Sequence, residues 1–279
     1  MKKQLFCAGL CLALTLSMGT QAFAEEVDSQ TAPGAEEAAQ ATVTTAEVVI
    51  NGETMTNFRA ELYDGTSYVS LYGATLALRP DAVIAWEDNQ MVARAEDFEL
   101  SARVGTCYLV VNGRYLYIPD GVKFDAAGDT LVPVRVLAQA LGATVEWDGR
   151  VLLTGGGTPL ESGDTYYNAE ELDLIARVIM HESGNQPLEG KIAVGNVILN
   201  RVEHPSFPDT VYDVLFQKNQ FPGATNATPN EESILAAKLC LDGASVVPDA
   251  YWFSAVGLEC WASINKDLIT VIGGHAFYG

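Results

Sequence analysis

Glu182 is the residue whose type and spacing best suit chemistry. Leu172, Ile175, Ala176 and Ile179 recur at helical spacing and form an apolar stripe, and Glu182 lies seven residues after Ile175 and three after Ile179, on the same stripe. A carboxylate held against a core at a helix C-terminus is disfavoured as an anion, both by desolvation and by the negative end of the helix dipole. Its pKa is therefore expected to be raised. A general acid needs that state, a proton kept near neutral pH for delivery to a leaving oxygen. The same spacing also allows Glu182 to sit just past the helix, in the turn Ser183-Gly184-Asn185, and to point into solvent as most charged side chains do. His181 and His204 do not read as a metal pair, because adjacent residues do not share a helix face and no HExxH-type spacing is present. No metal or cofactor is expected.

The elements around Glu182 follow from local signals. Asn168-Ala-Glu-Glu171 has the form of a capping box and should start the helix that carries it. Pro187 restarts the chain into a second helix, Leu188 to about Val202, whose small and branched residues Ala193, Gly195, Val197 and Leu199 suit close packing on the first. Thr210 to Asp213 can cap a short turn of helix. Thr228-Pro229-Asn230-Glu231 reads as a capping box with proline at the first helical position, opening a helix to about Asp242 before Gly243. The tail carries Tyr251, Trp252, Phe253 and Trp261 and ends IGGHAFYG. A helical domain with a short aromatic-rich C-terminal portion emerges, spanning residues 166–279.

The glycine-rich run Gly155-Gly156-Gly157-Thr158-Pro159, continuing to Asp164, marks a boundary by composition, so residues 155–165 are expected to link two domains. Upstream, residues 47–154 repeat at a spacing of 61. Ile50-Asn51-Gly52 matches Val111-Asn112-Gly113, Tyr68-Val69-Ser70-Leu71 approximates Leu131-Val132-Pro133-Val134, and Trp86 matches Trp147. Each half reads as a strand, an Asn-Gly hairpin, a short strand, a helix such as Val134 to Leu141, and a closing strand through the tryptophan. The fold class expected is α+β: a small two-half α+β module followed by a mainly helical domain.

At the start of the chain, Lys2 and Lys3 precede an apolar run from Leu5 to Met18 and the small-x-small site Ala22-Phe23-Ala24. Residues 1–24 read as an export signal, the run being shorter than the roughly 18 to 20 residues that span a bilayer. Neither Cys7 nor Cys11 lies in a lipoprotein box. Residues 25–46, rich in Ala, Glu and Thr, read as a disordered tether. Without the signal the formal charge moves from −20 to −22. Nucleic acid is excluded as a partner, since phosphate binding needs clustered cations. Cys107, Cys240 and Cys260 then remain, an odd number without metal-ligand spacing. Cys240 and Cys260 can pair, or all three can be buried thiols.

Two resemblances sharpen this. DTLVPVRVLAQALGATVEWDGRVLL, from Asp129 to Leu153, resembles the copper amine oxidase N-terminal-like, or stalk, domain of secreted Firmicute proteins. No copper follows, because this region has no histidine and Cys107 is its only soft ligand. The resemblance leaves open attachment to wall or other surface polymers, or a spacer. LIARVIMHESGNQPLEGKIAVGNVILNRVEHPSFPDTV, with NQF at Asn219 to Phe221, YWF at Tyr251 to Phe253 and the closing IGGHAFY, is similar to the SleB-type, spore-cortex-lytic cell wall hydrolase family in four ordered blocks over the whole second domain.

That second resemblance implies a lysozyme-like helical fold, a peptidoglycan substrate and one essential glutamate, at the position of Glu182. It also shows departures: His181 stands where members usually have Gly, Ser183 where Ala is frequent, and Ser254 where Asn is usual. Two-carboxylate hydrolysis needs a partner about 5 to 9.5 Å away, and Glu189, Asp209, Asp213 and Glu231 are candidates without a preference among them. The simpler expectation is lytic transglycosylation between N-acetylmuramic acid and N-acetylglucosamine by Glu182 alone; a hydrolytic muramidase or glucosaminidase and a non-catalytic wall-binding protein are the alternatives. Amidase or peptidase action lacks the Cys/His or zinc spacing it would need. Tyr251 and Phe253 are candidates to stack on sugar faces, and Gln220 and His275 to hydrogen-bond hydroxyl or acetamido groups, each with a structural role equally open. The protein is expected to be a secreted, wall-associated monomer. The plain secretion signal and surface-type module lean toward vegetative wall, although cortex-lytic enzymes are exported too.

Overall fold

The computed structural model describes residues 43–218 and 220–279; the expected export signal and most of the expected tether lie outside them. In the N-terminal module both Asn-Gly pairs form two-residue hairpins, with positive φ at Asn51 (52°), Gly52 (85°), Asn112 (50°) and Gly113 (78°), as such turns require. The stretches matched by the internal repeat pair with each other: Tyr68 faces Pro133, Val69 faces Val132 and Ser70 faces Leu131 in an antiparallel register. Each then runs into a helix, α1 (Leu71–Leu78) or α2 (Val134–Leu141).

The halves also exchange hairpins. The closing hairpin of the first half (Val83–Glu87, Gln90–Ala95) shares a sheet, through Phe98–Ala102, with the opening hairpin of the second (Tyr108–Val111, Arg114–Tyr117). The closing hairpin of the second half (Thr144–Trp147, Val151–Thr154) lies parallel to Val48–Ile50 of the first, Val151 facing Val48. Neither half can therefore bury its apolar residues alone, and one core runs from Ala46 to Leu153.

Two segments differ from the composition-based expectation. Thr44–Ala46, expected in the tether, is an edge strand paired with Ala60–Leu62, and Ala46 is buried; the β-branched threonines suit that open edge although the segment has no large apolar residue. The glycine-rich connection is fastened down. Gly155 N donates to Asn51 Oδ1 (2.8 Å), Asn112 Nδ2 donates to Leu160 O (2.7 Å), and Leu160 N donates to Ala140 O (3.1 Å). A Cβ on Gly157 would lie 1.9 Å from the carbonyl of Gly142. Its glycine permits a close backbone approach and is no sign of looseness.

The second domain begins with α3 (Gly163–Tyr166) and α4 (Ala169–Ser183), the latter capped by Asn168 Oδ1 accepting from Glu170 N and Glu171 N. α5 (Leu188–Glu203) and α6 (Val211–Leu215) follow, α6 capped by Thr210. α7 (Glu231–Leu241) starts two residues later than its sequence suggests. Asn230 caps it by accepting from Ser233 N, which leaves Thr228 and Pro229 outside the helix. α4, α5 and α7 pack around Ile175, Ile179, Ile192, Val197 and Ala236. Gly195 of α5 lets Cys240 of α7 approach, its absent Cβ lying 2.5 Å from Sγ. Cys240 and Cys260 are both free thiols. After α7 come Trp252–Ala255, α8 (Trp261–Asn265), Leu268–Ile272 and His275–Tyr278, with His275–Tyr278 the central strand of a three-stranded sheet.

The two cores meet at the hairpin Tyr108–Tyr117. Tyr108, Tyr115 and Tyr117 pack on the second core. Arg114 donates through Nε (2.8 Å) and Nη2 (2.5 Å) to the fully buried carboxylate of Asp242 at the end of α7. Tyr115 N (3.0 Å) and the Tyr167 hydroxyl also donate to that carboxylate.

Candidate functional site

Glu182 occupies the penultimate position of α4, inside the helix, and is half-buried. Its placement follows from the stripe: Ile175, Ala176 and Ile179 are all buried below it. Burial raises its carboxyl above the usual carboxylate range, and the neighbouring His181 partly opposes this. No hydrogen-bonding group and no second carboxylate among the described residues acts on it. Glu189, Asp209, Asp213 and Glu231 are all exposed, and Asp213 is engaged with the Thr210 hydroxyl at 2.8 Å. Glu182 is thus a carboxyl group biased to keep its proton and reachable from solvent.

The end of α4 is tied to the C-terminal sheet. Gln186, four residues after Glu182, accepts through Oε1 from Gly274 N (2.7 Å), and the absent Cβ of Gly273, at φ 57°, would fall 2.4 Å from that same Oε1. The next residue is His275. Burial lowers its pKa, so the imidazole is biased toward the neutral form, and Nδ1 is buried without a hydrogen-bond partner among the described residues. Its ring centroid lies 5.4 Å from that of Phe253.

The remaining candidates converge on a residue the sequence reading did not single out, Arg201. This α5 side chain is buried, and desolvation pushes its pKa down to about 10. Nη1 donates to Gln220 Oε1 (2.8 Å) and Nε to Tyr251 O (2.7 Å), while the guanidinium lies over Phe207 and Phe221. Phe221 in turn contacts Phe253, centroids 6.4 Å apart. Gln220, Tyr251, Phe253 and His275 therefore form one connected group around Arg201, although they come from three separate stretches of chain. Phe221 has φ 38°, a strained value for a bulky residue. The available signal for Arg201 was its place on the apolar face of the helix, three and four residues after Ile198 and Val197.

The roles within this group are unequal. Tyr251 already packs against His204 and Phe207, at 4.7 and 6.0 Å between centroids. These three, with Trp252 and Lys266, line a cavity of about 550 Å³. Phe253 is directed into the core with Phe277. Ser183 is buried and donates to Ile179 O (2.8 Å), and Ser254 is buried within the strand Trp252–Ala255.

Residues 185–278 match the family described as Cell Wall Hydrolase, a span that begins just after Glu182, and residues 41–152 match the family described as Copper amine oxidase N-terminal domain. The chain is 33% identical over 129 residues to a spore cortex-lytic enzyme of Bacillus cereus and 30% identical over 127 residues to one of Oceanobacillus iheyensis. These alignments cover 43% and 44% of this chain and 48% and 46% of the relatives, so the chain spans about half the length of the curated relatives it matches. The crystal structure of the catalytic domain of the Bacillus cereus SleB protein is 30% identical, with 40% of this chain and 92% of that one covered and a TM-score of 0.38. The module's donor set does not suit copper, since residues 41–152 hold no histidine and a single cysteine.

Proposed function

From a C-terminal domain that belongs to the cell wall hydrolase family, we propose that the protein is an exported, wall-associated enzyme that cleaves peptidoglycan glycan strands, with Glu182 as its catalytic acid. The observation that carries this reading is the half-buried carboxyl at the end of α4, its pKa raised by desolvation with no partner carboxylate among the described residues acting on it. The chemistry that suits one such group is lytic transglycosylation between N-acetylmuramic acid and N-acetylglucosamine. Glu182 gives its proton to the glycosidic oxygen as the bond from C1 to that oxygen breaks. The resulting carboxylate takes the proton of the muramic acid 6-hydroxyl as that oxygen bonds to C1, leaving a 1,6-anhydro end and restoring the acid. No water is consumed and no cofactor is needed.

In this reading the Arg201 group forms the sugar-binding wall. Gln220 is held with its amide oxygen on Arg201, which leaves its NH₂ to donate to an acetamido or hydroxyl oxygen. His275, biased toward the neutral imidazole by burial, offers a substrate hydroxyl the ring nitrogen that is not buried, Nε2. Tyr251 contributes an aromatic edge to the neighbouring cavity.

The test is digestion of purified peptidoglycan by the parent chain and by Glu182→Gln, with mass spectrometry of the fragments. Anhydro-ended fragments from the parent alone are expected; reducing ends would replace transglycosylation with hydrolysis, and no soluble fragments would sink the enzymatic reading. Presenting cortex and vegetative wall side by side distinguishes the substrate suggested by the relatives' names from the one suggested by the surface-type module.

A further inference from the structure

The two repeated tryptophans occupy equivalent places in the module, yet their surroundings differ. Trp86 and Trp147 are each 52% exposed. In the pairing that relates the halves, Phe124 faces Thr130 and Leu62 faces Ser67, so Phe124 and Leu62 are counterparts. Phe124 stacks on Trp86, with centroids 6.2 Å apart and rings 30° from parallel. Leu62 is shorter and unstacked, and before Trp147 a cavity of about 300 Å³ opens, lined also by Thr66, Ser67, Arg135 and Glu146. One half fills its site with its own aromatic ring, and the other leaves the site open.

Arg135 gives the open site its charge. Arg59, Arg79, Arg94, Arg103, Arg114, Arg150, Arg177 and Arg201 each hydrogen-bond a named partner. Arg135 has none among the described residues, and it stays exposed in a chain of net charge −20 that has acids to spare. An exposed indole face beside a free guanidinium and small hydroxyl and carboxylate groups is a surface for a pyranose ring that carries an acidic peptide. The indole covers the apolar C–H face, Arg135 pairs with a carboxylate of the peptide amide-linked to the sugar, and Thr66, Ser67 and Glu146 satisfy hydroxyl and amide groups. The volume is at the small end of ligand sites, about 300 to 1,000 Å³, enough for one sugar unit of a strand running past.

We propose that the cavity before Trp147 is a second glycan site, which binds an N-acetylated sugar of an uncut peptidoglycan strand together with an acidic group of the peptide that the sugar carries. This rests on the reading that the chain works on peptidoglycan. Because the module is clamped to the catalytic domain through Arg114 and Asp242, a strand held at Trp147 fixes the position of Glu182 over the wall.

The experiment uses the full chain carrying Glu182→Gln, so that polymer is not consumed, in co-sedimentation with peptidoglycan sacculi stripped of secondary polymers. Trp147→Ala removes the platform. Leu62→Phe keeps the tryptophan but fills the cavity as Phe124 does in the other half. Each is expected to weaken binding about three- to tenfold, the range of one aromatic stacking contact. Trp147 is exposed, so its truncation leaves the fold intact and decides the matter even if Leu62→Phe perturbs packing. Parent-like binding by Trp147→Ala, or binding that vanishes once secondary polymers are stripped, would overturn the proposal. Fragment release by the uninhibited parent is scored separately. A chain that releases none, yet sediments in a Trp147-dependent way, sinks the catalytic reading and supports this one.

Discussion

Arg114→Ala should unfold the protein more readily than any exposed arginine substitution. The Asp242 carboxylate is 0% exposed and Arg114 is 8% exposed. Removing the guanidinium deletes two charge-assisted bonds and the contact over the Tyr166 ring, centroid at 3.3 Å. Tyr115 N and the Tyr167 hydroxyl remain on the carboxylate, but neither carries a countercharge. Breaking a buried pair from one side typically costs about 3–5 kcal/mol, because the survivor is a buried, uncompensated charge. At about 2–4 °C per kcal/mol for a body of this size, the melting temperature should fall by roughly 6–20 °C. Arg114→Lys should lie between, since an ammonium cannot reproduce the forked geometry. Urea unfolding of parent and variants measures this directly. A loss under about 1 kcal/mol, the range of exposed pairs, would show that the two domains are not clamped through this site.

Five further outcomes concern Glu182, Gly195 and the two thiols. Glu182→Gln should lower glycan cleavage about 10²- to 10⁴-fold with an unchanged circular dichroism spectrum. Because the folded-state pKa of Glu182 is raised, its protonated form is favoured by folding. Stability from this group is complete below the unfolded pKa and is lost as pH rises through the folded one, so Glu182→Gln should stabilise the protein at pH 8 relative to pH 4 in paired melting curves. The cleavage rate should fall over the same alkaline limb as the acid loses its proton, and a rate that climbs through that limb would contradict the assignment. Gly195→Ala should destabilise by about 1–3 kcal/mol by overpacking against Cys240 and Ile179. With a thiol reagent, Cys260 should react in the native state, its pKa lowered by hydrogen bonds from Ser263, whereas Cys240, fully buried with its pKa pushed up to about 12, should react only on unfolding.

Much of the local structure was legible in the chain. Asn168 and the stripe through Ile175 and Ile179 set α4 and put Glu182 at its end, because helix caps and a 3.6-residue period act between neighbours in sequence. The Asn-Gly hairpins followed for the same reason, since their positive φ values are a property of two residues. Reading failed where the partner was distant. Nothing near Thr228 reveals that Asn230 will take the cap, and nothing near Gly157 reveals that it must pass within van der Waals contact of Gly142.

The sequence by itself therefore determined the carboxylate, the helix that carries it and the repeat. Only the tertiary structure decided the rest: that burial raises the pKa of Glu182, that Arg201 gathers Gln220, Tyr251, Phe253 and His275, and that Arg114 clamps two domains expected to be merely linked. Burial and charge compensation depend on which residues meet across tens of positions in the chain, and no local pattern records that meeting.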